Sequence, residues 1–408
     1  MAILTVLFRW RAAVVGLLGL GAVAAAFAAF HGGPVPIGAL FLATASAALA
    51  IVVSYVHLRH LLLAVLVVFS PLAGMMAVAP LADPLPMTAL LAVYGVGYVV
   101  AALVAGDIAR RVLDGRDRVD AARETLLALA APVFVAALVG APLLVAWLFR
   151  DVRHLGLAAA CAIPATAASA ALFTSFGASL MRFGEAFFTR ANRARERREA
   201  LLRVATIIVV PRWGLSLSGV TLVFAVLGWF GAAPLLDHST LFAQPALAAG
   251  SLLGVFLVAC AMTRDWREAA AAVLALGALA LFSAWLWGWA VGHPTASAFV
   301  DIVVSCATAF LAMLAVAGRS RAYRRDGDDP AVARLRALED VGAAPWFAAL
   351  GAAAATAPWI VLHGSTATLA VLFLFAALAA LVAQPAIATG LESIVPRRRS
   401  LDELYKRG

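Results

Sequence analysis

Apolar runs of about 20 residues, the length that crosses a bilayer as a helix, follow one another along almost the whole chain, separated by short polar or Pro/Gly-rich breaks. They predict about twelve transmembrane helices, near 12–31, 37–57, 61–80, 86–108, 125–149, 154–176, 205–232, 243–262, 268–291, 296–318, 343–362 and 366–388. The breaks alternate in character. Those at 31–36, 81–86, 150–153, 233–243, 292–296 and 363–366 are too short to hold a folded domain, whereas those at 110–123, 181–203 and 319–340 are longer and basic.

The pattern also repeats. Phe8-Arg9-Trp10-Arg11 aligns with Pro211-Arg212-Trp213-Gly214, which places Gly16 on Gly219 and Phe27 on Phe230. Arg111 to Pro132 aligns with Arg325 to Pro345: basic residues, an Asp/Gly-rich turn, a short polar helix, then Ala-Pro entering a new apolar run. The expected fold is an all-α membrane protein of two six-helix parallel pseudo-repeats, an arrangement typical of transporters. The repeats fall at 1–177 and 204–392, joined by an amphipathic connector helix at 178–203 and followed by a basic tail at 393–408.

Composition fixes the solvent. With 64% hydrophobic residues, 13% charged and a mean hydropathy of +0.98, the 408 residues carry too little polar surface to cover a soluble domain. The first apolar stretch ends in Ala29-Phe30-His31-Gly32-Gly33-Pro34, a poor signal-peptide cleavage site, so it is expected to remain as a membrane helix.

If the N-terminus is cytoplasmic, alternation of the spans puts all but Arg150 and Arg153 of the 31 Lys and Arg residues inside. Positive loops are retained on that side, so both termini are expected in the cytoplasm. The chain would be multi-pass in a bacterial inner membrane, where the abundance of Ala and Arg, with Lys406 the sole Lys, fits a high-GC genome. The net charge of +9 serves this orientation, and no nucleic-acid partner is expected, because the arginines lack an aromatic-interleaved face. In the connector, Phe183, Phe187 and Phe188 share one side of an Arg-rich helix, which makes Arg193, Arg195, Arg197 and Arg198 candidates for binding lipid headgroups.

Chemistry-bearing residues are sparse. Cys161, Cys260 and Cys306 stand alone in apolar spans, and His154, His238 and His363 lie on separate outer loops. No metal site, cofactor, nucleotide-binding loop or catalytic grouping is expected, and no enzymatic activity. Asp301 is the one carboxylate away from the ends of a predicted span; at that depth it is either part of a transport pathway or a side chain reaching the headgroups or capping backbone near Thr295 and Ser297. Tyr94 and Tyr98, four apart on one helix face, either line a cleft with Asp301 or pack against a neighbouring helix. Asp107 reads as a solvated partner of Arg110 or Arg111. Thr166, Ser169, Thr174 and Ser175 read as close-packing residues, and Pro71, Pro132, Pro142, Pro164 and Pro358 as kinks.

Several stretches together carry a family resemblance: Ser54 to Ala64 with its tight turn at Leu58-Arg59-His60, Gly95-Val96-Gly97-Tyr98, Arg110-Arg111-Val112-Leu113-Asp114-Gly115, Asp151 to Leu157, and Ile163-Pro164. With the amphipathic inner connector, they resemble resistance-nodulation-division (RND) transporters over nearly the whole chain, in particular the mycobacterial-membrane-protein-large branch and lipid or polyene exporters. That resemblance implies a proton-driven exporter, with two departures. The family's periplasmic domains have no room at His31 to Pro36 or near Leu235 to Ala243. The family's carboxylates in the middle of the fourth helix are absent from Gly95 to Val100, and Leu311 and Ala312 stand at the equivalent place in the tenth.

The expected function is an exporter or permease of a hydrophobic or lipid-like molecule, with membrane lipids and such a substrate as partners. The alternative is a non-transporting accessory or scaffold subunit of a lipid or polyene biosynthesis or export complex, with partner membrane or periplasmic proteins. A major-facilitator transporter is disfavoured, because Leu58-Arg59-His60 stands where that family's charged Gly-rich loop would be.

Overall fold

A computed structural model of the chain describes residues 6, 8–14, 16, 17, 20, 87–129, 153–180, 182, 206–236, 245–291, 296–341, 343–356 and 365–395. The predicted spans at 37–57 and 61–80, most of those at 12–31 and 125–149, the connector with Arg193, Arg195, Arg197 and Arg198, and the end of the tail lie outside the described residues.

The described residues are 93% helical with no strand. The helices are α1 (Met87–Leu113), α2 (118–129), α3 (Arg153–Leu180), α4 (Pro211–Leu236), α5 (Pro245–Thr263), α6 (Trp266–Val291), α7 (Ala296–Arg325), α8 (Pro330–Val341), α9 (Ala343–Thr356), α10 (Ser365–Leu378) and α11 (Gln384–Ile394), with a π turn at Ala379–Ala383 between the last two. Among the described residues, four helical stretches are long and apolar enough to cross a membrane: Pro211–Phe230, Trp266–Ala290, Asp301–Arg325 and Thr368–Ile394. The chain is a multi-pass all-α membrane protein.

The two aligned polar turns adopt one local structure. After α1, Gly115 at φ 87° ends the helix, and Arg116 N–H closes back on the Arg111 carbonyl at 3.0 Å. After α7, Gly327 at φ 100° does the same, with Asp328 N–H on the Tyr323 carbonyl at 3.1 Å. Both are left-handed helix ends that a side chain would strain. An aspartate then caps the next helix each time: Asp117 accepts from Val119 N–H at 3.0 Å to start α2, and Asp329 from Ala331 N–H at 3.2 Å to start α8.

Helix α1 packs against α3, α7, α9 and α10. It is buried almost continuously from Val96 to Ala105, where small residues let backbones approach closely. At Gly95 an added Cβ would strike the Phe373 ring of α10. Helix α4 packs on α6 and α11 among the described helices. Its inner contact uses Gly228, where a Cβ would sit 2.9 Å from the Leu281 backbone, while Leu222, Val223, Leu227 and Phe230 point outward and are half or more exposed. So large an uncovered apolar surface on a helix suits lipid, not water.

Candidate functional site

Asp301 lies one turn into α7 and is completely buried. That burial corrects the reading in which it reaches the headgroup layer. Its surroundings are apolar: Ile302 beside it, Trp287 of α6 and Leu372 of α10 form one buried cluster, with Cys306 against it. The Trp287 indole is the hydrogen-bonding group nearest the carboxylate. Even so, neither carboxylate oxygen nor the indole Nε1 makes a hydrogen bond of ordinary geometry among the described residues. Nearby hydroxyls are occupied elsewhere: Ser305 donates to the Asp301 carbonyl at 2.7 Å and Thr308 to the Ser305 carbonyl at 2.8 Å. No cation is paired with Asp301 among the described residues.

Tyr98 of α1 is likewise fully buried, but against another helix. Its ring and hydroxyl fill the place where Gly351 of α9 would carry a Cβ. Tyr98 and Asp301 therefore occupy different helix contacts, and the described contacts do not unite them in one cleft. Tyr94 is on α1, a turn before Tyr98.

Two charge clusters close one end of the bundle, and sequence reasoning missed most of both. In the first, Asp107 is half-buried, not solvated. It pairs with Arg111 at 2.7 Å and Arg110 at 3.5 Å on its own helix, accepts from Thr125 of α2 at 2.8 Å, and pairs with Arg319 of α7 at 2.7 Å. Arg110 reaches Asp340 of α8 at 2.8 Å, and Tyr323 of α7 donates to the same carboxylate. Arg111 also holds Glu124 at 2.5 Å. This cluster ties α1 and α2 to α7 and α8, that is, the first predicted repeat to the second.

The second cluster is deeper and lies within the second predicted repeat. Glu268, in the first turn of α6, receives Arg324 of α7 at 3.2 Å, Arg334 of α8 at 3.0 Å and the Gln384 amide of α11 at 2.7 Å. Arg334 is 2% exposed and also binds Glu392 at 3.1 Å and the Thr389 hydroxyl at 2.8 Å. Desolvation alone would lower the Arg334 pKa, but the charges of Glu268 and Glu392 outweigh it and hold the group above its ordinary value, so it stays cationic. Asp265 pairs with Arg324 at 3.0 Å and Arg267 at 3.9 Å. Carboxylate oxygens of Asp265, Glu268 and Glu392 lie within 4.8 Å of one another. A metal ion would be the usual occupant of such a group, but Arg267, Arg324 and Arg334 already supply its positive charge. Glu268 was legible as an acid at a span boundary. Its burial was not, because its partners come from three other helices.

The arrangement has known counterparts. No family model and no curated protein sequence matches the chain. Among solved structures it is similar to SecDF in its super-membrane-facing form, with TM-score 0.60 and 15% identity over 91% of this chain and 63% of that one. It is also similar to SecDF of Thermus thermophilus, described as a translocon-associated membrane protein, with TM-score 0.62 and 12% identity over 89% of this chain and 62% of that one. The chain thus spans about three-fifths of the length of each. At these identities the likeness is one of fold: the helices of this chain are arranged as those of SecDF are.

Proposed function

We propose that the chain is a proton-driven transporter of RND type that moves a hydrophobic or lipid-like molecule, with Asp301 as its proton carrier. The observation that carries this reading is a fully buried carboxylate on α7, beside the Trp287 indole of α6, with no cation paired with it among the described residues. An ionised carboxylate there costs several kcal/mol unless paired or hydrated. The group is therefore suited to hold a proton while dry and release it when water enters, which is what coupling to a proton gradient needs. Asp301 would take the part played in RND transporters by acids deeper in the fourth helix, where this chain has Gly95 to Val100. A lipid-like substrate fits a bundle whose outer helix α4 exposes its apolar face, giving lateral entry from the bilayer. The mycobacterial-membrane-protein-large branch, the bacterial inner membrane and cytoplasmic termini belong to this proposal.

The test reconstitutes the whole chain in vesicles and follows movement of an NBD-labelled short-chain phospholipid between leaflets by its accessibility to dithionite. An imposed pH gradient should speed movement in the wild type and leave Asp301→Asn at the protein-free rate. Equal rates in both would remove Asp301 from the mechanism.

A second reading, a non-transporting accessory subunit, is favoured by the missing acid at Gly95 to Val100 and by the translocon-associated description of one SecDF. It predicts no gradient-dependent movement of any lipid probe and a stoichiometric protein partner on gentle extraction.

A further inference from the structure

At the charged end of the bundle, the turn between α5 and α6 and the last turn of α7 bring Arg264, Arg324 and Arg325 close enough to act electrostatically on Arg321. Arg324 is matched by Asp265 and Glu268. Arg264, Arg321 and Arg325 face no carboxylate at ion-pair distance among the described residues, although every arginine of the deeper cluster beside them does. Asp326, next in the chain, is exposed and likewise forms no ion pair there, so the group remains net positive.

One member of the group is held in place, and the backbone of a second is constrained. Arg321 donates to the Met262 carbonyl at 2.7 Å, which fixes its guanidinium against the end of α5. Arg264 has φ 52°, the one positive value on a non-glycine among the described residues. Such backbone is strained for a residue with a side chain and persists where the surroundings impose it. Here it turns the chain within two residues, between Thr263 at the end of one apolar helix and Trp266 at the start of the next. That level is also where the apolar span Asp301–Arg325 ends, which by length and composition is where a membrane boundary falls. Trp266 is 48% exposed there, with the Arg267 guanidinium 5.2 Å from its ring.

We propose that Arg264, Arg321 and Arg325 form a binding site for the phosphate of an anionic lipid headgroup, with Trp266 against the upper part of the lipid. Guanidiniums gathered at one place repel one another until an anion lies between them, and their planar forks match phosphate oxygens in pairs. A half-exposed Trp at the boundary is the usual interfacial anchor, and anionic lipids concentrate at basic groups placed there. The site does not depend on the transport reading, since an accessory subunit would carry it equally.

The test is native mass spectrometry of the full chain in detergent with phosphatidylglycerol or phosphatidylcholine, which share a phosphate but differ in net charge. The wild type should retain phosphatidylglycerol preferentially. Replacing Arg264, Arg321 and Arg325 together by Gln should weaken that retention by about tenfold or more. Arg325→Gln alone, at an exposed helix end, should weaken it severalfold without disturbing the fold, while Arg116→Gln, 65% exposed on another turn, should leave it unchanged. Undiminished retention in both the triple and the single variant would overturn the proposal. So would displacement of the lipid by millimolar inorganic phosphate, which would mark a site for soluble anions.

Discussion

Asp107 shows how much a single side chain does at the charged end. Its two oxygens serve Arg110, Arg111, Arg319 and Thr125, and Arg319 lies 212 residues away on α7. Asp107→Asn keeps the shape but leaves three half-buried guanidiniums without that charge. Breaking a buried pair costs about 3–5 kcal/mol, and partial exposure reduces this to about 1–3 kcal/mol. A lower thermal unfolding midpoint in detergent checks it; an unchanged midpoint would make the cluster a surface ornament. Gly351 makes the opposite demand, for no side chain at all. Gly351→Val drives a β-branched group into Tyr98, so it should destabilise by about 1–3 kcal/mol, and Tyr98→Ala in the same chain should recover part of the loss. Asp301 itself was legible, since an acid in an apolar run is conspicuous; its complete burial was not, because that depends on which helices close over it.

At the scale of elements, the long described helices fall on apolar runs of the sequence, while their ends and joints follow from partners. The span expected at 296–318 continues as α7 to Arg325, because Arg319, Tyr323 and Arg324 bond acids on α1, α6 and α8 and keep the helix wound past its apolar stretch. The short polar helix expected before Pro345 is α8, and polarity hid its anchor: Arg334 is among its buried residues. Arg334→Met should therefore loosen α8 more than it harms the rest, leaving Glu268 to Arg324 and Gln384 alone. Hydrogen exchange should show faster labelling across 330–341 with α4 and α6 unchanged; uniform protection would mean that Leu338 and its apolar neighbours hold the helix unaided. The π turn at Ala379–Ala383 had no signal in its Ala-Ala-Leu-Val-Ala sequence. It comes just before Gln384, where the amide meets Glu268.

For the molecule as a whole, repeated patterning made the two polar turns legible as a pair before any contact was known, and those at Gly115 and Gly327 match in detail. Charge pairing across the bundle was not legible, because sequence spacing does not say which helices become neighbours. The central claim is that the buried Asp301 carboxylate, paired with no cation among the described residues, couples this bundle to protons. Gradient-driven movement of the NBD-labelled phospholipid in vesicles tests it most directly. The account predicts faster movement with a pH gradient in the wild type, none in Asp301→Asn, and the same amount of folded protein in both. Gradient-driven movement that survives the substitution, or its absence from the wild type, would contradict it.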